Sequence, residues 1–148
     1  MTANVKSTSS RHPDSLALFE ELKAAHANLQ SAIDDLDHLT RGPVPGKELL
    51  DSVRWRISRA SLSRRLLWGK IHCDFAPIAD ESKRAALRHL QEADIRLLRD
   101  SAEHVAKWTT ETILDDWPAY CRASERMRLK MIEAVSAEKR ILYPILAA

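Results

Sequence analysis

The stretch Glu138-Lys139-Arg140-Ile141-Leu142-Tyr143-Pro144-Ile145-Leu146 puts one carboxylate on an apolar helical stripe, follows it with an aromatic ring, and ends with a proline expected to stop the helix. Traced back in alternating steps of three and four residues, the stripe reads Ile145, Ile141, Glu138, Ala134, Met131, Met127, Ser124, Tyr120, so Glu138 is its only charge. A carboxylate on such a line faces a core rather than water, and a buried charge without a partner costs several kcal/mol. The residues that stand opposite Glu138 therefore decide both the packing and the chemistry.

Working outward, the rest of the chain reads the same way. Its 148 residues, 45% of them hydrophobic, suit one domain with a sizeable core. Three glycines leave little material for hairpins, while Ala, Leu, Arg, Glu and Lys are abundant, so the expected class is all-α. Residues 1–14 are polar and end near Pro13, which predicts a disordered lead with Asp14 or Ser15 as the first helix cap. A first helix is expected over Leu16–Thr40, with the stripe Phe19, Leu22, His26, Leu29, Ile33, Leu36, broken by the Gly-Pro-Val-Pro-Gly run from Gly42 to Gly46. A second, Lys47–Phe75, carries Leu50, Val53, Ile57, Ala60, Arg64, Leu67, Ile71 and ends before Pro77. A third, capped by Asp80, is expected to run to about Leu114 through Leu87, Leu90, Asp94, Leu97, Ser101, His104 and Trp108. The fourth starts at Asp116-Trp117-Pro118, where proline in a first turn loses no helical bond. Four long helices with short links predict an up-down-up-down four-helix bundle over residues 15–148.

Antiparallel helices joined by tight turns allow heights to be compared at roughly 1.5 Å per residue. His26, Arg64, Asp94 and Glu138 fall within about one and a half turns of one another on that scale, which predicts a single inward-facing polar layer. His89 and Trp68 are expected close by. His104 stands about 20 Å away by the same rise and is read as a separate core histidine near Tyr120, Ser124 and Trp55.

These residues also carry a family likeness. The chain resembles the hemerythrin-like (HHE cation-binding) four-helix bundles over its whole helical region. The first helix, with Leu22, His26, Leu29 and Ile33, is similar to the family's Leu-x-x-x-His-x-x-Leu pattern. The last, with Glu138, Leu142, Tyr143, Pro144 and Leu146, is similar to its His-x-x-x-Glu-Glu-x-x-Leu-Tyr-Pro-x-Leu signature. The resemblance implies a core site that in the family holds two irons and binds oxygen, nitric oxide or another small ligand. This chain departs from the pattern at the ligands: Ala134 stands where the signature has His, Ala60 and Arg64 where the second helix has His and Glu, and Asp94 where the third often has His. An always-cationic guanidinium beside the surviving donors opposes a metal's charge and can itself neutralise Glu138 and Asp94. The expectation is that a salt bridge has replaced the metal, in a non-enzymatic binding or regulatory protein with no cofactor. The competing reading keeps iron on His26, Asp94, Glu138 and His89, as a small-ligand (oxygen or nitric oxide) binding or sensing protein.

A third reading uses the second helix as an interaction module. From Arg54 to Lys70 it has no acidic residue, and Arg54, Trp55, Arg56, Arg59 and Arg65 would form a basic, aromatic-bearing face. The first helix is acidic through Glu20, Glu21, Asp34, Asp35 and Asp37, so pairing between neighbouring helices accounts for much of this asymmetry and disfavours nucleic acid as a partner. The expected partner is a protein or small ligand, with a homodimer through an exposed tryptophan as an open alternative. There is no apolar run long enough for a membrane span and no secretory leader, which points to a cytoplasmic protein without a membrane partner. Cys73 and Cys121 have no zinc spacing and should be free thiols. Neither a nucleophile-base arrangement nor a phosphate-binding glycine loop can be read from the chain.

Overall fold

The computed structural model describes residues 15–148, so the polar lead, His12 and the candidate cap Asp14 lie outside the described residues. Every regular element among them is helical: α1 (Ser15–Thr40), α2 (Lys47–Phe75), a 3-10 turn (Ala76–Ile78), α3 (Glu81–Lys107), the short α4 (Thr110–Asp115) and α5 (Trp117–Ala147). Among the described residues no helix is long and apolar enough to cross a membrane.

The helix boundaries follow local chemistry. Asp80 caps α3 by accepting from the Lys83 backbone N–H at 2.8 Å. α3 ends at Lys107 instead of continuing to Leu114, because Thr109 takes an extended backbone and its hydroxyl accepts from the Thr112 N–H, starting a new helix. A threonine hydroxyl that can replace a helical acceptor favours such a break. The resulting α4 buries Ile113 completely. Pro144, expected to stop the last helix, lies inside α5, which continues to Ala147. The proline only removes a donor to the Arg140 carbonyl, and in the last turn beside exposed Arg140 that carbonyl can turn to water.

α1 packs on α2 and α5, and α3 packs on α5. α1 runs antiparallel to α5: the middle of α1 meets Glu138 and Tyr143, while the Trp117 indole N–H at the start of α5 donates to the Gly42 carbonyl just beyond α1 at 3.1 Å. α3 is not packed along the length of α2; it reaches that helix through a side-chain ion pair. The buried apolar residues fall into two clusters. One holds Leu29, Ile33 and Leu36 with Leu50, Val53, Ile57, Trp117, Tyr120 and Met127; the other holds Leu18 and Leu22 with Trp68, Ile71, Leu87, Leu90, Leu142 and Leu146. At the end of α5 the fully buried line is Leu142 and Leu146, while Ile141 and Ile145 are half-buried. The cause is period: after Glu138 a step of four keeps the side chain inward where a step of three drifts off the seam.

Candidate functional site

On each long helix that contributes, one ionisable residue sits between the two apolar clusters. His26 lies between Leu22 and Leu29, Arg64 between Ala60 and Trp68, Asp94 between Leu90 and Leu97, and Glu138 between Val135 and Leu142. Helical spacing alone thus carries these four side chains to one level of the core. His26, Arg64 and Glu138 are 1%, 2% and 3% exposed, whereas Asp94 is half-buried at the edge.

The four side chains bond in sequence. His26 Nε2 lies 2.7 Å from Glu138 Oε2. The other Glu138 oxygen accepts from Arg64 Nη1, and Arg64 Nη2 donates to Asp94 Oδ1 at 2.9 Å. Beyond the imidazole, His26 Nδ1 meets the Tyr143 hydroxyl at 2.7 Å. Burial, and then the Glu138 charge, push the Tyr143 hydroxyl above its ordinary value, so it keeps its proton and acts as a donor. With a proton on Nε2, His26 donates to Glu138 while Nδ1 accepts from Tyr143. One continuous line of hydrogen bonds then crosses the core from half-buried Tyr143 to half-buried Asp94.

Charge compensation inside this layer is internal. Arg64 is shared by two carboxylates and provides the positive charge that their proximity requires. Its Nε–H is buried without an acceptor, so the fork is not fully satisfied. The residues fit an iron centre poorly. The guanidinium stands between the carboxylates that would have to converge on a cation, and Ala60 and Ala134 supply no donor. Among the described residues no group of three or more His, Cys, Asp or Glu side chains is arranged to hold a metal ion.

Of the other residues singled out in the sequence, His89 is exposed and apart from the layer. It precedes Asp94 by five positions, which rotates it about 140° around the helix. Trp68 is buried beneath the layer and packs edge-on against His72. His104 stacks on Tyr120 with ring centroids 6.0 Å apart, in the half of the molecule away from His26. Burial, helped by the charges of Arg54, Arg126 and Lys107, pushes His104 down to about 4. The proposed basic face of α2 is divided. Arg56 pairs with Asp35, Arg54 donates to the Trp108 carbonyl, Arg59 lies over the ring of Trp55, itself 60% exposed, and Arg65 turns partly inward. Cys73 and Cys121 are free thiols.

Two contributors escape a stripe-by-stripe reading. Tyr143 stands in the sequence as a position of the family signature with no role assigned, and the structure brings its hydroxyl to His26 Nδ1 on α1. Arg128 is buried, 6% exposed, and ties α5 to α1 by donating to Asp37 Oδ1 at 2.8 Å and Thr40 Oγ1 at 3.0 Å. Its position one turn after Ser124 was the available signal. No family model, curated protein or solved structure matches this chain.

Proposed function

We propose that this chain is a non-enzymatic binding or regulatory protein on an up-down-up-down, hemerythrin-like four-helix bundle, in which the layer His26–Glu138–Arg64–Asp94 does the structural work of a metal centre. The observation that carries the reading is the Arg64 head group, buried and bonded to both Glu138 and Asp94. A cation fixed between two acids removes the repulsion that a metal would otherwise have to neutralise. The resemblance of the first and last helices to the family supports the bundle assignment, and the alanines at positions 60 and 134 support the loss of ligands.

Elemental analysis and the visible spectrum of protein purified without chelator test the reading. Substoichiometric metal and an unfolding midpoint unmoved by chelator are expected. One or two equivalents of iron, with a midpoint that falls when iron is removed, would overturn it in favour of an iron-dependent small-ligand protein.

A further inference from the structure

Because α3 leans on α5 and not along α2, a pocket of about 600 Å³ opens between these three helices, in the half of the molecule that holds His104. None of the four layer residues lines it. Its walls are unlike one another. Arg54, Ser58, Ser61 and Arg65 follow at steps of four, three and four, a single polar stripe of α2. Opposite them stand Leu98 and Val105 of α3, with Met127 and Met131 of α5. Leu98 and Val105 are exposed, 45% and 52%, so the apolar wall meets water.

Two polar groups in this pocket lack what their burial calls for. Ser124, 1% exposed, has a buried Oγ without a partner in hydrogen-bond geometry, although it stands beside the Tyr120 hydroxyl. A buried hydroxyl with no well-aligned partner marks a place where an acceptor or donor is wanted. Arg65 is half-buried, and burial followed by the neighbouring charge of Arg64 makes its own charge costly to hold. The charge of Asp94 offsets part of that cost, but Asp94 pairs with Arg64, and among the described residues Arg65 makes no ion pair of its own. Arg54 differs, since the Trp108 carbonyl already accepts from it, and Arg128 is held by Asp37. His104, neutral near pH 7, adds an uncharged ring and not a further cation.

We infer that this pocket binds an elongated apolar monocarboxylate, its carboxylate paired with Arg65 and its apolar body lying between the α2 stripe and the side chains of Leu98, Val105, Met127 and Met131. The size falls in the range of ligand sites, and an anionic group on an apolar body matches a half-buried guanidinium without a hydrogen-bonded acceptor among the described residues, in a cleft with an apolar wall and with Arg54, itself held by a neutral carbonyl, on the same stripe. The inference concerns a site apart from the polar layer, and it stands whether or not that layer holds a metal.

Titration calorimetry with decanoate and decyltrimethylammonium below their micelle concentrations, and decan-1-ol below its solubility limit, tests it on the full chain. Decanoate should bind one to one, at least tenfold more tightly than the alcohol, with the ammonium weaker still. Arg65→Gln should lower decanoate affinity tenfold or more and leave the alcohol unchanged, while Ala102→Trp, which fills the pocket from its α3 side, should abolish both. Lys70→Gln, exposed on α2 and outside the pocket lining, should change neither. Equal binding of the three compounds, an unaltered decanoate affinity in Arg65→Gln, or no binding because the cleft is closed between two copies in a sedimentation-detected dimer would each overturn the proposal.

Discussion

Arg64 faces two acids and an orphaned donor of its own, so its net effect on stability is set by what each substitution leaves behind. Arg64→Met keeps the volume but strands Glu138, 3% exposed, opposite Asp94 with only His26 as partner. Removing one member of a buried pair costs about 3–5 kcal/mol. The same principle says that apolar replacement of both members is close to neutral, since Asp94 at the edge can turn to water. Denaturant unfolding should therefore place Arg64→Met about 3–5 kcal/mol below the parent, with Arg64→Met/Glu138→Leu recovering only part of that loss, because the buried His26 Nε2–H is then left without Glu138 at a cost of about 1–3 kcal/mol. A double variant no more stable than the single one would show that Arg64 supports the core in another way. Tyr143→Phe tests the far end of the line: it leaves His26 Nδ1 unpaired and should cost about 1–3 kcal/mol. The four ionisable residues of this layer were legible in the sequence because each interrupts an apolar stripe, and helical rise converts sequence position into height. The hydrogen-bonding roles of Tyr143 and Arg128 were not, since a tyrosine or arginine beside a stripe looks the same whether its polar tip turns inward or toward solvent.

Helix by helix, burial is uneven. α1 and α5 bury residues along their whole lengths, whereas the fully buried side chains of α3 are Leu87 and Leu90, near its start. Beyond Asp94 the helix presents Ile95, Leu98 and Val105 to water, and its Lys130–Asp100 link to α5 is an exposed ion pair. Such pairs contribute about 0–1 kcal/mol, so apart from Leu97 on the core and the His104–Tyr120 stack the second half of α3 is held by little. Native-state hydrogen exchange should show the amides of residues 95–107 exchanging through local opening, well before those of α1 or the middle of α5. Uniform protection across α3 and α1 would contradict this account. Helix type and most boundaries were readable from periodicity and caps, as the Asp80 cap and the Pro-rich break after α1 illustrate. The ending of α3 at Lys107 was not readable, because Trp108, Thr109 and Thr110 fit a helical stripe as well as they fit a cap. Nor was the α2–α3 cleft, since amphipathic stripes state which faces seek burial and not which pairs of helices meet.

For the molecule as a whole, acid exposes a weakness located in the cleft half. His104 is faced by Arg54 of α2, Lys107 on its own helix, and Arg126 and the Tyr120 ring of α5. Burial first, and then these three cations, hold the imidazole down at about 4, against about 6.5 for an unfolded chain. The unfolded state therefore binds a proton that the native state refuses between those values. The native neutral form is fully favoured above about pH 6.5, and that advantage is lost as pH falls toward 4, below which both states are protonated and no further loss accrues. The ring is only partly buried, so solvent screening reduces the effect to on the order of 1–2 kcal/mol. Carboxylates such as Asp37, whose acidity the Arg128 hydrogen bond and the charges of Arg41 and Arg128 increase, add their own loss at lower pH. Comparison with His104→Gln separates the two contributions, because the variant keeps every carboxylate and cannot take up the extra proton. At pH 7 the variant should be the less stable protein through lost ring packing on Tyr120; between pH 7 and pH 4 that gap should close by about 1–2 kcal/mol. A gap that stays constant across this range would mean that His104 accepts its proton in the folded state as readily as in the unfolded chain, and that the cations around it are better screened than their placement on three helices implies.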